Sequence, residues 1–191
     1  MFVVLLTTIG AAALVGAWKT KISQVNLKAT VGYGPIAIRL PAGWKVTQRT
    51  IGTTETLIAE EPTNPARTLN IRTAQLDEQT DPLSFLVNSG ILAIPQRDLD
   101  QAAADPNQVE ALDIPGGAGL LMHIPANGAG VRRPLLLGCI IFKAGQVVVL
   151  ELDTPAANNT ADAALLYDVT RSIRLVDGKT IKLKEVPGLP I

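Results

Sequence analysis

Hydrophobic and polar positions fall along this chain in three regimes. The first 18 residues, MFVVLLTTIGAAALVGAW, hold no charged side chain and no proline. A helix of that length covers roughly 27 Å against the ~30 Å hydrocarbon core of a bilayer, so the pattern predicts one N-terminal transmembrane helix with little tilt. A period of two then takes over. Ile36, Ile38 and Leu40 alternate with Ala37 and Arg39 before Pro41-Ala42-Gly43, which predicts a half-buried strand ending in a turn. Trp44 to Thr50 reads as its hairpin partner and Thr54 to Glu60 as the next strand. After a turn at Thr63-Asn64-Pro65-Ala66, Leu69 and Ile71 alternate in a fourth strand, completing an antiparallel meander. Gly119 to Pro125, Pro134 to Lys143 and Gln146 to Asp153 give three more strands, the last two joined at Ala144-Gly145. The run from Leu135 to Phe142 is apolar on both parities, as expected of a central strand covered on both sides.

The third regime is helical. Asp81 is placed to cap a helix that has Pro82 at its first position, buries Leu83, Leu86 and Val87 and stops near Gly90. A second helix begins at Asn159 or Thr160 and aligns Leu165, Leu166, Val169 and Ile173 on one stripe. Asp162 near its start and Arg171 and Arg174 near its end complement the helix dipole. Between Pro95 and Gly117 the chain is rich in Asp, Gln, Ala, Pro and Gly, and the expectation is a long excursion with at most a short helix. No repeat or heptad pattern is visible. The elements together predict an α+β fold, an antiparallel sheet flanked by helices. Its organisation is an anchor at 1–18, a globular domain at 19–176 and a C-terminal tail at 177–191.

The anchor reading has one competitor. Val15-Gly16-Ala17 and Ala11-Ala12-Ala13 resemble signal-cleavage sites, but the basic n-region of a secretory signal is missing. Ala12 with Gly16, and Ala13 with Ala17, stand four apart, so small side chains stack on two adjacent stripes and would let a second membrane helix approach closely. Trp18, followed by Lys19 and Lys21, has the composition of an interfacial anchor. Lys19, Lys21 and Lys28 all follow the helix, which under the positive-inside rule keeps the domain in the cytoplasm; an uncleaved signal anchor would instead carry it across.

Composition narrows the function classes. With 47% apolar and 18% charged residues the chain can bury a core. Seventeen basic and seventeen acidic side chains cancel and aromatics make up 4%, so nucleic acid is not an expected partner. Charge is unevenly placed: Lys19 to Arg49 is basic, Asp77 to Asp113 mainly acidic, and Arg171, Arg174, Lys179, Lys182 and Lys184 make the end basic.

Candidate chemistry is sparse. One His and one Cys cannot build a structural zinc set, and a lone Cys139 excludes an internal disulfide framework. Inside an apolar strand it reads as an inert small hydrophobe. His123 is expected on the face opposite Leu120, Met122 and Ile124, as a surface or satisfied core residue. Asp98, Asp100 and Asp105 resemble a calcium loop only superficially, since the central glycine and bidentate glutamate are missing. Gly116-Gly117-Ala118-Gly119 lacks the Lys-Ser/Thr of a phosphate cradle and reads as an opening to a strand. Glu60-Glu61 and Asp77-Glu78 give no carboxylate dyad. No catalytic residue, metal or cofactor is therefore expected.

The run Ile36-Ala37-Ile38-Arg39-Leu40-Pro41-Ala42-Gly43-Trp44, the meander, the hairpin at Gly145 and the closing Thr170-Arg171-Ser172-Ile173-Arg174-Leu175 together resemble the PsbP/DcrB-like group over residues 24–176. The resemblance implies an αβα sandwich and a class of small, mostly non-enzymatic proteins. PsbP is an extrinsic subunit of photosystem II and DcrB a bacterial envelope lipoprotein. The matching residues are turn and core positions, so no site carries over, and the lipobox cysteine of DcrB has no counterpart here. The expectation is a non-catalytic accessory subunit of a membrane protein complex, photosynthetic or respiratory by analogy, with other membrane subunits and the lipid bilayer as partners. The alternative is a membrane-tethered envelope protein that binds a small ligand or lipid. In the tail, Thr180-Ile181-Lys182-Leu183-Lys184 alternates like an edge strand, and Val186, Leu189 and Ile191 are candidate partner contacts.

Overall fold

The computed structural model describes residues 27–52, 54–76, 80–126, 134–155 and 160–176. The apolar segment 1–18, with Ala12, Ala13, Gly16, Ala17 and Trp18, lies outside them, as do Lys19, Lys21 and the tail with Val186, Leu189 and Ile191. Among the described residues no helix is long and apolar enough to cross a membrane.

Among the described residues, ten strands and three helices follow in the order β1 (Leu27–Tyr33), β2 (Ile36–Pro41), β3 (Lys45–Ile51), β4 (Thr54–Glu61), β5 (Asn64–Gln75), α1 (Pro82–Asn88), α2 (Gln96–Ala104), β6 (Val109–Ile114), β7 (Gly117–Ile124), β8 (Leu135–Phe142), β9 (Gln146–Asp153), α3 (Thr160–Ser172) and β10 (Arg174–Leu175). The strands form two sheets. The larger has the order β3-β4-β5-β9-β8-β7-β6 with antiparallel neighbours throughout, and the smaller has the order β1-β2-β10. The helices and small sheet close the two faces of the large sheet.

The alternation of β8 and β9 divides the core between these faces. Leu136, Ile140 and Phe142 with Val148, Leu150 and Leu152 belong to a first face, packed with α3 and the small sheet. Leu137 and Cys139 with Val147 and Val149 belong to the second, packed with α1 and α2. β8 is thus an interior strand buried on both sides, as its sequence requires. Helix α3 presents Leu165, Leu166, Val169 and the following Ile173 to the first face, all buried. Gly138 makes room for it, since a Cβ there would stand 2.8 Å from Thr170 Oγ1 and 3.3 Å from Leu150 Cδ1. On the opposite face, Asp81 caps α1 as expected: its Oδ1 accepts from the backbone N–H groups of Leu83 and Ser84 at 3.0 and 2.9 Å.

Several expectations are corrected. β2 and β3 are not hairpin partners. β2 pairs with β1 and β10, and β3 pairs with β4 alone. The turn at Pro41-Ala42-Gly43, with Gly43 at φ +81°, carries the chain from one sheet to the other and folds Ile36, Ile38 and Leu40 down onto the large sheet. Strand alternation and turn residues are the same in either arrangement; only the pairing distinguishes them. The expected turn at Thr63 to Ala66 is shorter, because β5 already begins at Asn64. A register shift between Glu60 and Glu61 accommodates it, and such a bulge tolerates Pro65 in a strand. The stretch after Pro95, expected to hold at most a short helix, contains the nine-residue α2 and in addition the edge strand β6. β1 was not anticipated, since LKATVGY has small residues and a glycine where a strong strand signal would have branched or aromatic ones.

Candidate functional site

Residues with chemical potential are placed mainly by packing. Cys139 is completely buried on the second face, and burial pushes its thiol far above the usual cysteine range. His123, on the parity of Leu121, is half-buried at the β7 end; its Nδ1 lies 2.7 Å from Gln108 Oε1, while its backbone N–H donates to Gln108 O at 2.8 Å. Pairing with an amide oxygen assigns the ring proton to Nδ1 and leaves Nε2 buried without a hydrogen-bond partner. Burial lowers the imidazole pKa below its ordinary 6.5, so a neutral ring is favoured. The expected placement of His123 opposite Leu120, Met122 and Ile124 is observed.

The three aspartates recruited to a superficial calcium pattern are spread apart. Asp98 is buried on α2 beside Arg97 at 3.5 Å, Asp100 accepts from Gln96 at 3.0 Å, and Asp105 accepts from the Asn107 backbone at 2.9 Å. No group of three metal-ligating side chains occurs among the described residues. The glycine cluster serves the β6–β7 hairpin. Ile114 pairs with Gly117, leaving Pro115-Gly116 as a tight turn in which Gly116 has φ +81°. A Cβ on Gly117 would stand 2.6 Å from Ile141 O, and one on Gly119 2.7 Å from Ile114 Cγ1, so these two glycines admit neighbouring strands rather than a phosphate.

One constellation was not anticipated. Arg67 on β5 pairs with Glu61 Oε2 at 3.2 Å and with Asp162 Oδ1 at the start of α3. Thr154 Oγ1 donates to the other Asp162 oxygen at 2.9 Å, and the Arg67 guanidinium carbon lies 5.9 Å from the centre of the Trp44 ring. The Asp162 side chain is only 4% exposed and that of Arg67 19%. This cluster ties the turn between the sheets, the β4–β5 hairpin, the end of β9 and the first turn of α3 at one corner of the first face. A signal for it existed in the sequence. Glu61 shares parity with Leu57 and Ala59, Arg67 with Leu69 and Ile71, and Asp162 shares the helical stripe of Leu165, Leu166 and Val169. A charge on a buried parity requires a partner, and three such charges of mixed sign predict one another. A second pair, Arg72 with Glu151 at 2.9 Å, crosses β5 and β9. Near it Tyr33 donates to Glu55 O at 2.5 Å, its phenol pushed up first by burial and then by the Glu55 carboxylate. These arrangements orient and brace; each charged group named here already has a partner.

The architecture matches a known fold. Cyanobacterial PsbP (CyanoP) from Synechocystis sp. PCC 6803, a solution structure, superposes with a TM-score of 0.53 at 13% identity, covering 82% of this chain and 98% of that one. The chain therefore has a PsbP-like fold. A Bacteroides thetaiotaomicron crystal structure covers 75% of this chain and 46% of its own at 9% identity, with a TM-score of 0.41, too low to bear on the comparison. No family model and no curated protein matches the chain.

Proposed function

We propose that this chain is a single-pass, non-catalytic accessory subunit of a membrane protein complex, with photosynthetic or respiratory assemblies as the candidates by analogy. One observation carries the reading: an 18-residue uncharged segment is joined by residues 19–26 to a domain of PsbP-like fold. The interior supports it. The single thiol is buried, the single imidazole is hydrogen-bonded within a hairpin, and the buried Asp162 braces the start of α3 against β5 through Arg67. In this reading Ala12, Gly16, Ala13 and Ala17 pack on a neighbouring membrane helix, Trp18, Lys19 and Lys21 sit at the lipid boundary, and Val186, Leu189 and Ile191 touch the partner.

Mild detergent extraction followed by a native gel tests this directly. A large stoichiometric assembly is the expected result, and a monomer would favour a tethered ligand- or lipid-binding protein instead. Intact mass should include the segment through Trp18; a mature start at Trp18 would overturn the anchor. Deleting 186–191 should loosen the assembly while leaving the thermal midpoint unchanged.

A further inference from the structure

The small sheet is chemically one-sided. Val31, Tyr33, Ile36, Ile38 and Leu40 point inward and are buried. Its three strands, LKATVGY, IAIRLP and RL, contain basic residues and no acidic one, in a chain whose charges cancel as a whole. Arg39 lies opposite Thr30, and Arg174 opposite Ala37. The two arginines are therefore diagonal neighbours on the outer face, with backbones on the order of 7–8 Å apart. Both are exposed. Arg39 Nη2 donates to Leu27 O at 2.7 Å, and Arg174 Nη1 to Arg171 O and Ile173 O at 2.6 and 2.7 Å. Carbonyl partners orient a guanidinium without neutralising it. Neither arginine, nor the exposed Arg171 in the last turn of α3, meets a carboxylate among the described residues. Ala37, opposite Arg174, and its other cross-strand neighbour Gly32 are small, so among the described residues the outer face is low beside the two arginines.

Chain length adds the second argument. β1 opens this sheet at Leu27, and only residues 19–26 separate it from Trp18. Fully extended, that link reaches about 30 Å, less than the ~40 Å width of a domain this size. A sheet held that close to a bilayer meets its headgroups at high effective concentration.

We propose that the outer face of the small sheet, centred on Arg39 and Arg174, rests on anionic lipid headgroups of the membrane that the N-terminal segment enters. The inference rests on the transmembrane reading above. The planar guanidinium fork matches a lipid phosphate bidentately. Each arginine near an anionic leaflet raises the ratio of docked to undocked domain roughly fivefold, and salt screens the attraction beyond about 8 Å.

The test uses the full chain in vesicles of phosphatidylcholine alone or mixed with phosphatidylglycerol. A dye is placed by Thr30→Cys, Cys139 being buried and slow to react, and quenchers are carried on the lipid headgroups. Quenching is expected with phosphatidylglycerol and should reverse on raising salt. Arg39→Gln with Arg174→Gln should lower the docked ratio about 25-fold, while Arg39→Lys with Arg174→Lys should largely retain it. Should the glutamine pair fail to fold, the lysine pair and the salt titration still decide. A chain that floats with both vesicle types but stays unquenched, or is quenched equally without phosphatidylglycerol, overturns the docking face and leaves the anchor standing. A chain that floats with neither overturns the anchor and this inference together. Quenching confined to native membranes would assign the face to a protein partner and also overturn it.

Discussion

The two faces of the large sheet are closed by opposite strategies. The first is covered by β1 and β2 from the start of the described domain and by α3 and β10 from its end. The second is covered by α1 and α2, both from the stretch between β5 and β6. Closing a face with distant segments costs loop-closure entropy and is rewarded only when the whole topology is assembled. A contiguous insertion can dock or lift by itself. The first face accordingly carries the buried ion cluster that gathers four elements, whereas α1 is held by one capping aspartate and the packing of Phe85 and Leu86. The first face should therefore report global stability and the second local opening.

The largest effect should come from truncating the first face. Leu166 is completely buried, and Leu166→Ala should cost about 2–5 kcal/mol in urea unfolding. The matching Leu86→Ala under α1 should lose more hydrogen-exchange protection locally than it loses in global stability. Equal global cost with no local opening would show the two faces to be one cooperative unit.

Asp162→Ala should follow, at about 3 kcal/mol, because Arg67 keeps Glu61 but loses its more buried partner. Arg67→Met in the same background should recover part of that loss, measured as a double-mutant cycle; strict additivity would mean the charges act independently.

Asp81→Ala removes a cap worth about 1 kcal/mol. Cys139 lies on that side of the sheet, so its labelling by a thiol reagent should accelerate more than the change in global stability explains. Asp162→Ala should accelerate labelling only in proportion to stability.

The smallest contrast is in pH dependence. Burial lowers the His123 pKa, so the unfolded chain takes up the proton first; stability is full above pH 6.5 and declines as pH falls below it. The Ser84 hydroxyl and backbone lower the pKa of Asp81, so its contribution persists down to about pH 4 and fades below that. His123→Gln should remove the upper decline, read from thermal midpoints between pH 8 and 5, and leave the acid limb.

Much of the fold was legible. β9 and α3 occupy the spans their patterns indicate, and Asp81 caps α1 where its spacing with Pro82 places it. β1 and β6 were not, because β1 has small residues and β6 lies on an edge amid acidic residues. A short helix was allowed after Pro95, but α2 could not be bounded because it starts there without a side-chain cap. The Arg67 cluster escaped because each charge looks unremarkable in its own segment; only parity compared across segments exposes it. The anchor, its packing residues and the tail lie outside the described residues.

Local physics by itself determined the alternating strands, the capped helix, the doubly apolar β8 and the uncharged N-terminal segment. Each depends on backbone sterics, periodicity or transfer free energy within a few residues. Tertiary structure alone decided that the turn after Pro41 crosses between sheets and that Gly138 admits α3 to within 2.8 Å of where a Cβ would stand. It also decided that Arg39 and Arg174, 135 positions apart in the chain, share one exposed face. Such juxtapositions arise from strand pairing between distant segments, and no local preference encodes which segments pair.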